Sequence, residues 1–343
     1  MQLKRIFILL GLLTLLLIFA VLLWPRSYDV ATIQKRPGTQ YWPLKTGSHI
    51  AYYSIPAQGE IQNSPIIYLH GGPGGLIKDE AIAALKPLTE LGHSIYFYDQ
   101  IGSGHSARLE DISEYRVQRH QADLLAIIDE IGAEKVILAA HSWGCLLAVN
   151  FLQDYPERVE SMILDGPGPI LPIRQELAKQ SPPDSLQLIP PEFSNRQAID
   201  KCYNWRARLI LKYAHRFQSK LASDEEVDAF FTYLNQELSK ATFCNGSEAE
   251  SFPGGSGYYC HLMTIQSFDT VEDQRKRLQE LNLPVLILRG QCDNQAWGYT
   301  NEYLKLFKNS RLEIINDAGH ALLISQAEKY RQHARSFLLQ NNW

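Results

Sequence analysis

One serine stands between two segments that cannot belong to a single element. Lys135-Val136-Ile137-Leu138-Ala139 is a short run rich in β-branched and aliphatic residues, the composition of a buried strand. Cys145 to Leu152 is apolar over a longer stretch and reads as a helix. Between them lies Ala140-His141-Ser142-Trp143-Gly144, which leaves room only for one sharp strand-to-helix turn at Ser142. Such a turn strains the backbone of its central residue, and a bulky neighbour two positions away would clash. Ala140 and Gly144 keep both of those positions small. The serine hydroxyl then projects above the end of a sheet. The N–H of Trp143, at the start of the helix, points at any negative charge that develops beside it.

The chain around this turn alternates strands and helices, the pattern of an α/β fold with a mostly parallel sheet flanked by helices. Strands are expected at 50–55, 66–69, 95–98, 135–139 and 159–164, with an amphipathic helix over 116–131. From Pro167 to about Arg275 the alternation stops. Pro-rich loops and amphipathic helices over 196–219 and 224–240 take its place. Strands return at 284–288 and 311–315. A helical block of about 100 residues inserted late in a parallel sheet predicts a cap over the carboxyl ends of the strands, where open sheets bind ligands. The expected division is a core of 41–166 and 276–343 with a helical cap of 167–275. The whole chain is 45% hydrophobic and 20% charged, with a net charge of −4. That balance excludes a basic nucleic-acid surface.

A serine nucleophile needs a base, and the base needs an orienting acid. In such folds they follow the serine in the order acid, then histidine. Four histidines follow Ser142. His215 and His261 fall in the cap, and His333 lies within the last helical stretch. His320, in Asp317-Ala318-Gly319-His320, directly follows the 311–315 strand and is the expected base. Two carboxylates end strands: Asp293, in Arg289-Gly290-Gln291-Cys292-Asp293, and Asp165, in Leu164-Asp165-Gly166. Asp293 is preferred and Asp165 is the alternative. Asp317 is too close to His320 along the chain and reads as turn chemistry. A second oxyanion donor should come from the loop after an early strand, and His70-Gly71-Gly72-Pro73-Gly74 stands there. Gly72 is the expected partner of the Trp143 N–H.

The N-terminus is a segment of its own. Lys4 and Arg5 precede an apolar stretch, Ile6 to Trp24, of 19 residues. As a helix it spans about 28 Å, close to the hydrocarbon thickness of a bilayer. Its end, Ala20-Val21-Leu22-Leu23-Trp24-Pro25, lacks a small-x-small cleavage pattern, which favours an uncleaved anchor over a cleaved signal. Residues 6–24 are thus expected to meet a membrane, 25–40 to act as a tether, and the catalytic domain to lie on the exported side. Secretion after signal cleavage is the alternative. Five cysteines complete the inventory. Cys145 and Cys292 read as small buried thiols. Cys244 and Cys260 bracket a Gly/Ser/Pro-rich loop and are expected to pair in an oxidising compartment, with Cys202 an alternative partner for either. Their spacing matches no zinc-ligand pattern.

Taken together, His70-Gly71-Gly72-Pro73-Gly74, Asp99-Gln100-Ile101-Gly102-Ser103-Gly104-His105-Ser106, His141-Ser142-Trp143-Gly144, Gly290…Asp293 and Gly319-His320 resemble the proline iminopeptidase branch of the α/β-hydrolase superfamily. The resemblance covers residues 45–343 apart from much of the cap. It implies an α/β-hydrolase fold and a serine hydrolase without cofactor or metal. That enzyme removes N-terminal residues, often proline, from short peptides. It also implies Ser142, Asp293 and His320 as the triad. Three positions depart from the branch. Its elbow usually reads Gly-Gly-Ser-Trp-Gly. Its Asp-Gln-Arg-Gly string has Ile101 here in place of Arg. Its amine-holding Trp-Glu pair in the cap is matched best by Trp205-Arg206. A carboxylesterase or amidase is the alternative function, and a non-catalytic binding module on the same fold is a third. If an amine is bound, the cap carboxylates Glu192, Glu225, Glu226, Glu237, Glu248 and Glu250 are the candidate partners.

Overall fold

The structure is a computed structural model that describes residues 2–245 and 252–340. In its first helix, α1 (Gln2–Leu23), the window Lys4–Val21 is not buried by any other described residue. The window Lys4–Val21 has a mean hydropathy of 2.3, so the helix is long and apolar enough to cross a membrane. Residues 25–40, expected to act as a tether, are instead held against the rest of the chain. Tyr28 stacks on Tyr233 with ring centroids 5.9 Å apart and meets Phe230 at 5.5 Å. Arg36 pairs with Asp79. This irregular strap ends in a short strand outside the expected set, β1 (Gln40–Pro43).

Eight strands form one sheet in the order β1-β2-β4-β3-β5-β6-β7-β8. They are β1, β2 (His49–Ile55), β3 (Asn63–Leu69), β4 (His93–Tyr98), β5 (Val136–His141), β6 (Val159–Asp165), β7 (Val285–Gly290) and β8 (Ser310–Ile315). The first two run antiparallel to their neighbours and the other six are parallel. Successive residues serve opposite faces. Ile66, Tyr68, Ile137, Ala139, Ile163 and Leu286 enter one core, while Ile67, Leu69, Leu138, Ala140, Leu164 and Ile287 enter the other. Both faces are covered by helices, so these strands are apolar throughout rather than alternating. On one face lie α2 (Asp79–Leu85) and α12 (Ala327–Gln340). On the other lie α3 (Val117–Ile131) and α4 (Trp143–Asp154).

The crossover from β6 to β7 carries the cap. It contains α5 (Asn195–Cys202), α6 (Trp205–Phe217), α7 (Asp224–Leu238) and α8 (Tyr258–Gln266), and α9 (Arg275–Glu280) leads back into the sheet. The helix expected over 196–219 breaks at Tyr203-Asn204. The cause is local: the Asn204 side chain accepts a hydrogen bond from Ala207 N at 3.1 Å and caps α6. Phe230, Phe231 and Tyr258 join the apolar cluster that includes α3 and α4, so the cap is continuous with the core. The remaining helices, α10 (Trp297–Leu306) and α11 (Leu322–Ser325), follow β7 and β8. From β3 the chain moves to β4 on one side and to β5 on the other. The strand order therefore reverses at β3 and β5, and a crevice opens beyond their carboxyl ends.

Candidate active site

Ser142 sits at that crevice, one residue past β5, with φ 52° and ψ −116°. A non-glycine residue at positive φ is costly and persists only where its surroundings hold it. Here the Ser142 N–H donates to the Asp165 carbonyl at 2.9 Å, and its own carbonyl accepts from the Cys145 N–H at 2.9 Å. Close packing explains the small neighbour. A Cβ on Gly144 would stand 2.1 Å from the Leu69 carbonyl oxygen, so α4 can lie against β3 only with glycine at this point. Gly71 fits the same way, because a Cβ there would meet Ser142 Cβ at 3.2 Å.

The base and acid candidates come from the loops after β8 and β7. His320 is buried, and its Nδ1 donates to Asp293 Oδ1 at 2.9 Å. The same oxygen accepts from the Gln295 N–H at 2.9 Å. The Arg289 guanidinium lies 4.0 Å from Asp293 Oδ2. Burial by itself disfavours both charges. For His320 it is outweighed by the Asp293 charge and hydrogen bond and by Asp165, and the imidazole pKa is raised above its ordinary value. For Asp293 it is outweighed by His320, Arg289 and the Gln295 N–H, and the carboxyl is held below its ordinary range. Asp165, the alternative acid, is engaged elsewhere. Its Oδ2 accepts from His141 Nδ1 at 3.1 Å, and burial raises its pKa despite that contact. The two His–Asp pairs lie side by side, with the His141 and His320 rings 4.9 Å apart. A Cβ on Gly166 would come within 2.8 Å of His320 Nδ1, so glycine at the end of β6 makes room for the ring.

Of the two expected oxyanion donors, Gly72 has φ 133°, and a Cβ there would lie 2.5 Å from the Gly75 nitrogen. The Trp143 N–H is the first of α4, where no carbonyl one turn earlier can receive it. Sequence reasoning missed how the two loops are joined. The His70 Nε2 accepts from the Gln100 N–H at 2.9 Å, which leaves its Nδ1 to donate to the Gly71 carbonyl at 2.8 Å. The Gln100 side chain donates to the His70 carbonyl at 3.0 Å and accepts from Trp143 Nε1 at 2.8 Å. One buried glutamine thus ties the glycine loop to the serine turn. The signal was the Asp-Gln pair at the end of β4.

Ser142, His320, His141 and Gly72 all border one cavity of about 330 Å³ under the cap. Its other walls include Tyr68, Phe231, Leu238, Phe252 and Ile324, with Asn195, Asn235, Asn294 and Gln295 as polar points. His261 also reaches the wall. Its Nδ1 is held by the Pro73 carbonyl, and burial pushes its pKa down to about 4. Among the described residues no aspartate or glutamate lines the cavity, and Lys78 does. Nor do three His, Cys, Asp or Glu side chains gather there as a metal-binding group.

Two expectations need correcting. None of the candidate cap carboxylates among the described residues lines the cavity, and neither does Arg206. It is buried against α7, where Nε and Nη2 donate to Glu226 at 2.7 and 2.8 Å. Glu237 is likewise engaged, by Lys201 and Lys240, and Glu192 and Glu225 are exposed. Glu248 and Glu250 lie outside the described residues. The second correction concerns the cysteines. The disulfide joins Cys244 to Cys292, not to Cys260, while Cys145, Cys202 and Cys260 are free and buried. Pairing across the sequence won because the segment 241–244 lies on the loop that carries Asp293. Asn294 Nδ2 donates to the Ala241 carbonyl at 2.9 Å there.

Comparison with known proteins extends the fold. A family model described as the alpha/beta hydrolase fold matches residues 64–327. A proline iminopeptidase of Saccharolobus solfataricus is 24% identical over 302 residues, covering 85% of this chain and 89% of the relative. Another, from Heyndrickxia coagulans, is 24% identical over 300 residues, covering 85% and 96%. The crystal structure of the Mycobacterium smegmatis proline iminopeptidase is similar with a TM-score of 0.58 at 18% identity, covering 88% of this chain and 98% of that one. An esterase from Exiguobacterium antarcticum gives 0.55 at 18%, covering 88% and 99%.

Proposed function

The chain belongs to the α/β-hydrolase fold family, and from that premise we propose a serine hydrolase that cleaves esters or amides with a neutral, apolar acyl part. In this reading Ser142 Oγ attacks the carbonyl carbon while His320 Nε2 takes the hydroxyl proton. The oxyanion is held by the N–H groups of Gly72 and Trp143. The carbon–heteroatom bond then breaks, the leaving group receives that proton from His320, and an acyl ester remains on Ser142. Water repeats the sequence to release the acid and restore the serine. Asp293 fixes the His320 tautomer and stabilises the imidazolium formed twice in each cycle.

The lining of the cavity carries the substrate assignment. An enzyme that removes N-terminal residues must take up an ammonium group, and burying that charge without a carboxylate is costly. The described wall offers Lys78, apolar side chains and amides. A second reading, release of N-terminal residues such as proline, has the named relatives in its favour. It needs a carboxylate for the amine, and of the candidates Glu248 and Glu250 lie outside the described residues. The two readings separate on one comparison, with Ser142→Ala as the blank. N-acetyl-prolyl and butyryl p-nitroanilides or esters are expected to react at least as well as unblocked prolyl p-nitroanilide. If acetylation lowers kcat/KM by ~10-fold or more, about 1.4 kcal/mol of recognition, the aminopeptidase reading stands instead.

We read α1 as an uncleaved anchor and the domain as exported. The disulfide supports this, since such bonds persist in oxidising compartments.

A further inference from the structure

The strap after α1 fixes where the cap sits relative to the apolar helix. Only residues 24 and 25 separate Leu23, the end of α1, from Arg26, whose N–H donates to Glu226 Oε1 at 3.0 Å. Fully extended, three residues reach about 11 Å. The same Glu226 carboxylate receives the buried Arg206 guanidinium from α6. The Arg26 guanidinium lies over the Trp205 ring, 5.4 Å from its centroid. Tyr28 receives a hydrogen bond from Asn204, the residue that caps α6. The end of α1 is therefore stitched to the N-terminus of α6.

Helix α6 then presents an unusual surface. Its sequence, WRARLILKYAHRF, contains no acidic residue. Trp205, Arg208, Lys212, His215 and Arg216 are exposed and fall within one third of the helix circumference. Phe217, the last residue of α6, is also exposed but lies about 100° round the helix from Arg216, off this stripe. Among the described residues Arg208, Lys212 and Arg216 make no ion pair, whereas the cations of neighbouring α5 do: Arg196 with Asp200 and Lys201 with Glu237. Cations spaced along one face that begins at an exposed tryptophan suit the headgroup layer of an anionic bilayer.

We infer that α6 is an interfacial helix whose Trp205–Arg208–Lys212–Arg216 face docks on anionic phospholipid headgroups beside the point where α1 leaves the membrane. The inference rests on the reading of α1 as a membrane span. Docking at two points, the span and this face, fixes the orientation of the catalytic domain, which a single flexible tether does not do.

The test uses the full chain in lipid nanodiscs, of pure phosphatidylcholine or with ~30% phosphatidylglycerol. Amide hydrogen exchange is followed over residues 205–217. Exchange is expected to slow at least ~3-fold in the anionic discs, and the difference should vanish at ~0.5 M NaCl, where screening is strong. It should also vanish in Arg208→Gln/Lys212→Gln/Arg216→Gln, whose esterase activity in detergent should match the parent. Exchange that is equal in both lipids, with the chain retained in the discs after a carbonate wash, overturns the docking and leaves the span intact. Loss of the chain from the discs overturns both.

Discussion

The Asp293→Asn substitution separates what the acid does through its charge from what it does through its geometry. Asp293 Oδ1 accepts two N–H groups, from His320 Nδ1 and from Gln295, while Oδ2 faces Arg289. In the asparagine the carbonyl oxygen is the only atom that can satisfy two donors, so it occupies the Oδ1 position and the amide NH2 turns toward Arg289. His320 then keeps its tautomer, and the loss is one of charge alone. Two unit charges about 4 Å apart at an effective dielectric of ~20 attract by ~4 kcal/mol. If the imidazolium is fully formed in the transition state, kcat falls by ~10³. A flipped amide would impose the wrong tautomer, and the known triad case then sets the scale at ~10⁴. The pH profile adds an independent sign. In the proposed mechanism neutral His320 is the base, so kcat/KM is expected to rise with pH through a pKa raised above the ordinary histidine value. In Asp293→Asn the opposing burial is no longer outweighed, and the rising limb must move to lower pH. Asp165→Asn should cost less than ~10-fold and shift the limb slightly in the same direction, since Asp165 acts on His320 only at a distance. Initial rates on p-nitrophenyl butyrate from about pH 5 to about pH 9 measure all three proteins. A limb that stays in place in Asp293→Asn, or a larger loss in Asp165→Asn, refutes the assignment of the acid.

Two further outcomes follow from packing and covalent structure. Gly144→Ala would drive a Cβ to 2.1 Å from the Leu69 carbonyl, with backbone on both sides and no side chain to yield. A loss of ~3 kcal/mol or more is expected, a fall in Tm of at least ~6 °C by thermal denaturation, and an unchanged Tm would mean α4 can lift from β3 freely. Peptide mapping without reductant should recover Cys244 linked to Cys292 and alkylate Cys145, Cys202 and Cys260 after unfolding. Closing 48 residues is worth ~4 kcal/mol by chain entropy, so Cys244→Ser/Cys292→Ser should lose about that much in urea titration, and a Cys244–Cys260 peptide would contradict the fold of this segment.

Local chemistry was legible in the sequence and long-range chemistry was not. The inner strands could be read because both of their faces are buried, which leaves apolar runs that no loop would carry. The serine turn could be read because its constraint is steric and acts within five residues. Asn204 is a capping signal that overrides the helical period of 196–219. By contrast, the strap of residues 25–39 has no period because it belongs to no regular element. Its order comes from Tyr28, Glu226 and Asn204, far apart in the chain. The partner of Cys244 was hidden for the same reason. Composition favoured a short loop closure to Cys260, and only the fold brings Cys292 to it.

That hidden contact changes what the cap does. At this corner the cap is not a cover resting on the sheet. The Thr242 carbonyl accepts from the Ala321 N–H at 3.0 Å, and a Cβ on Gly319 would stand 2.3 Å from that same oxygen. Asn294 donates to the Ala241 carbonyl, and the Cys244–Cys292 bond lies one residue from Asp293. Ala321, next to His320, and Cys292 and Asn294, on either side of Asp293, are therefore bonded to the cap segment 241–244, and Gly319 packs closely against it. A cap that lifted here would have to break those bonds and release the pair from its orientation. Elsewhere the cavity wall includes Phe231 and Phe252, and Lys78 reaches over the Phe252 ring. The same physical logic links the two ends of the cap. The segment 241–244 is joined to the loops that carry Asp293 and His320, the proposed acid and base, and α7 is tied through Glu226 and Tyr233 to the chain leaving α1.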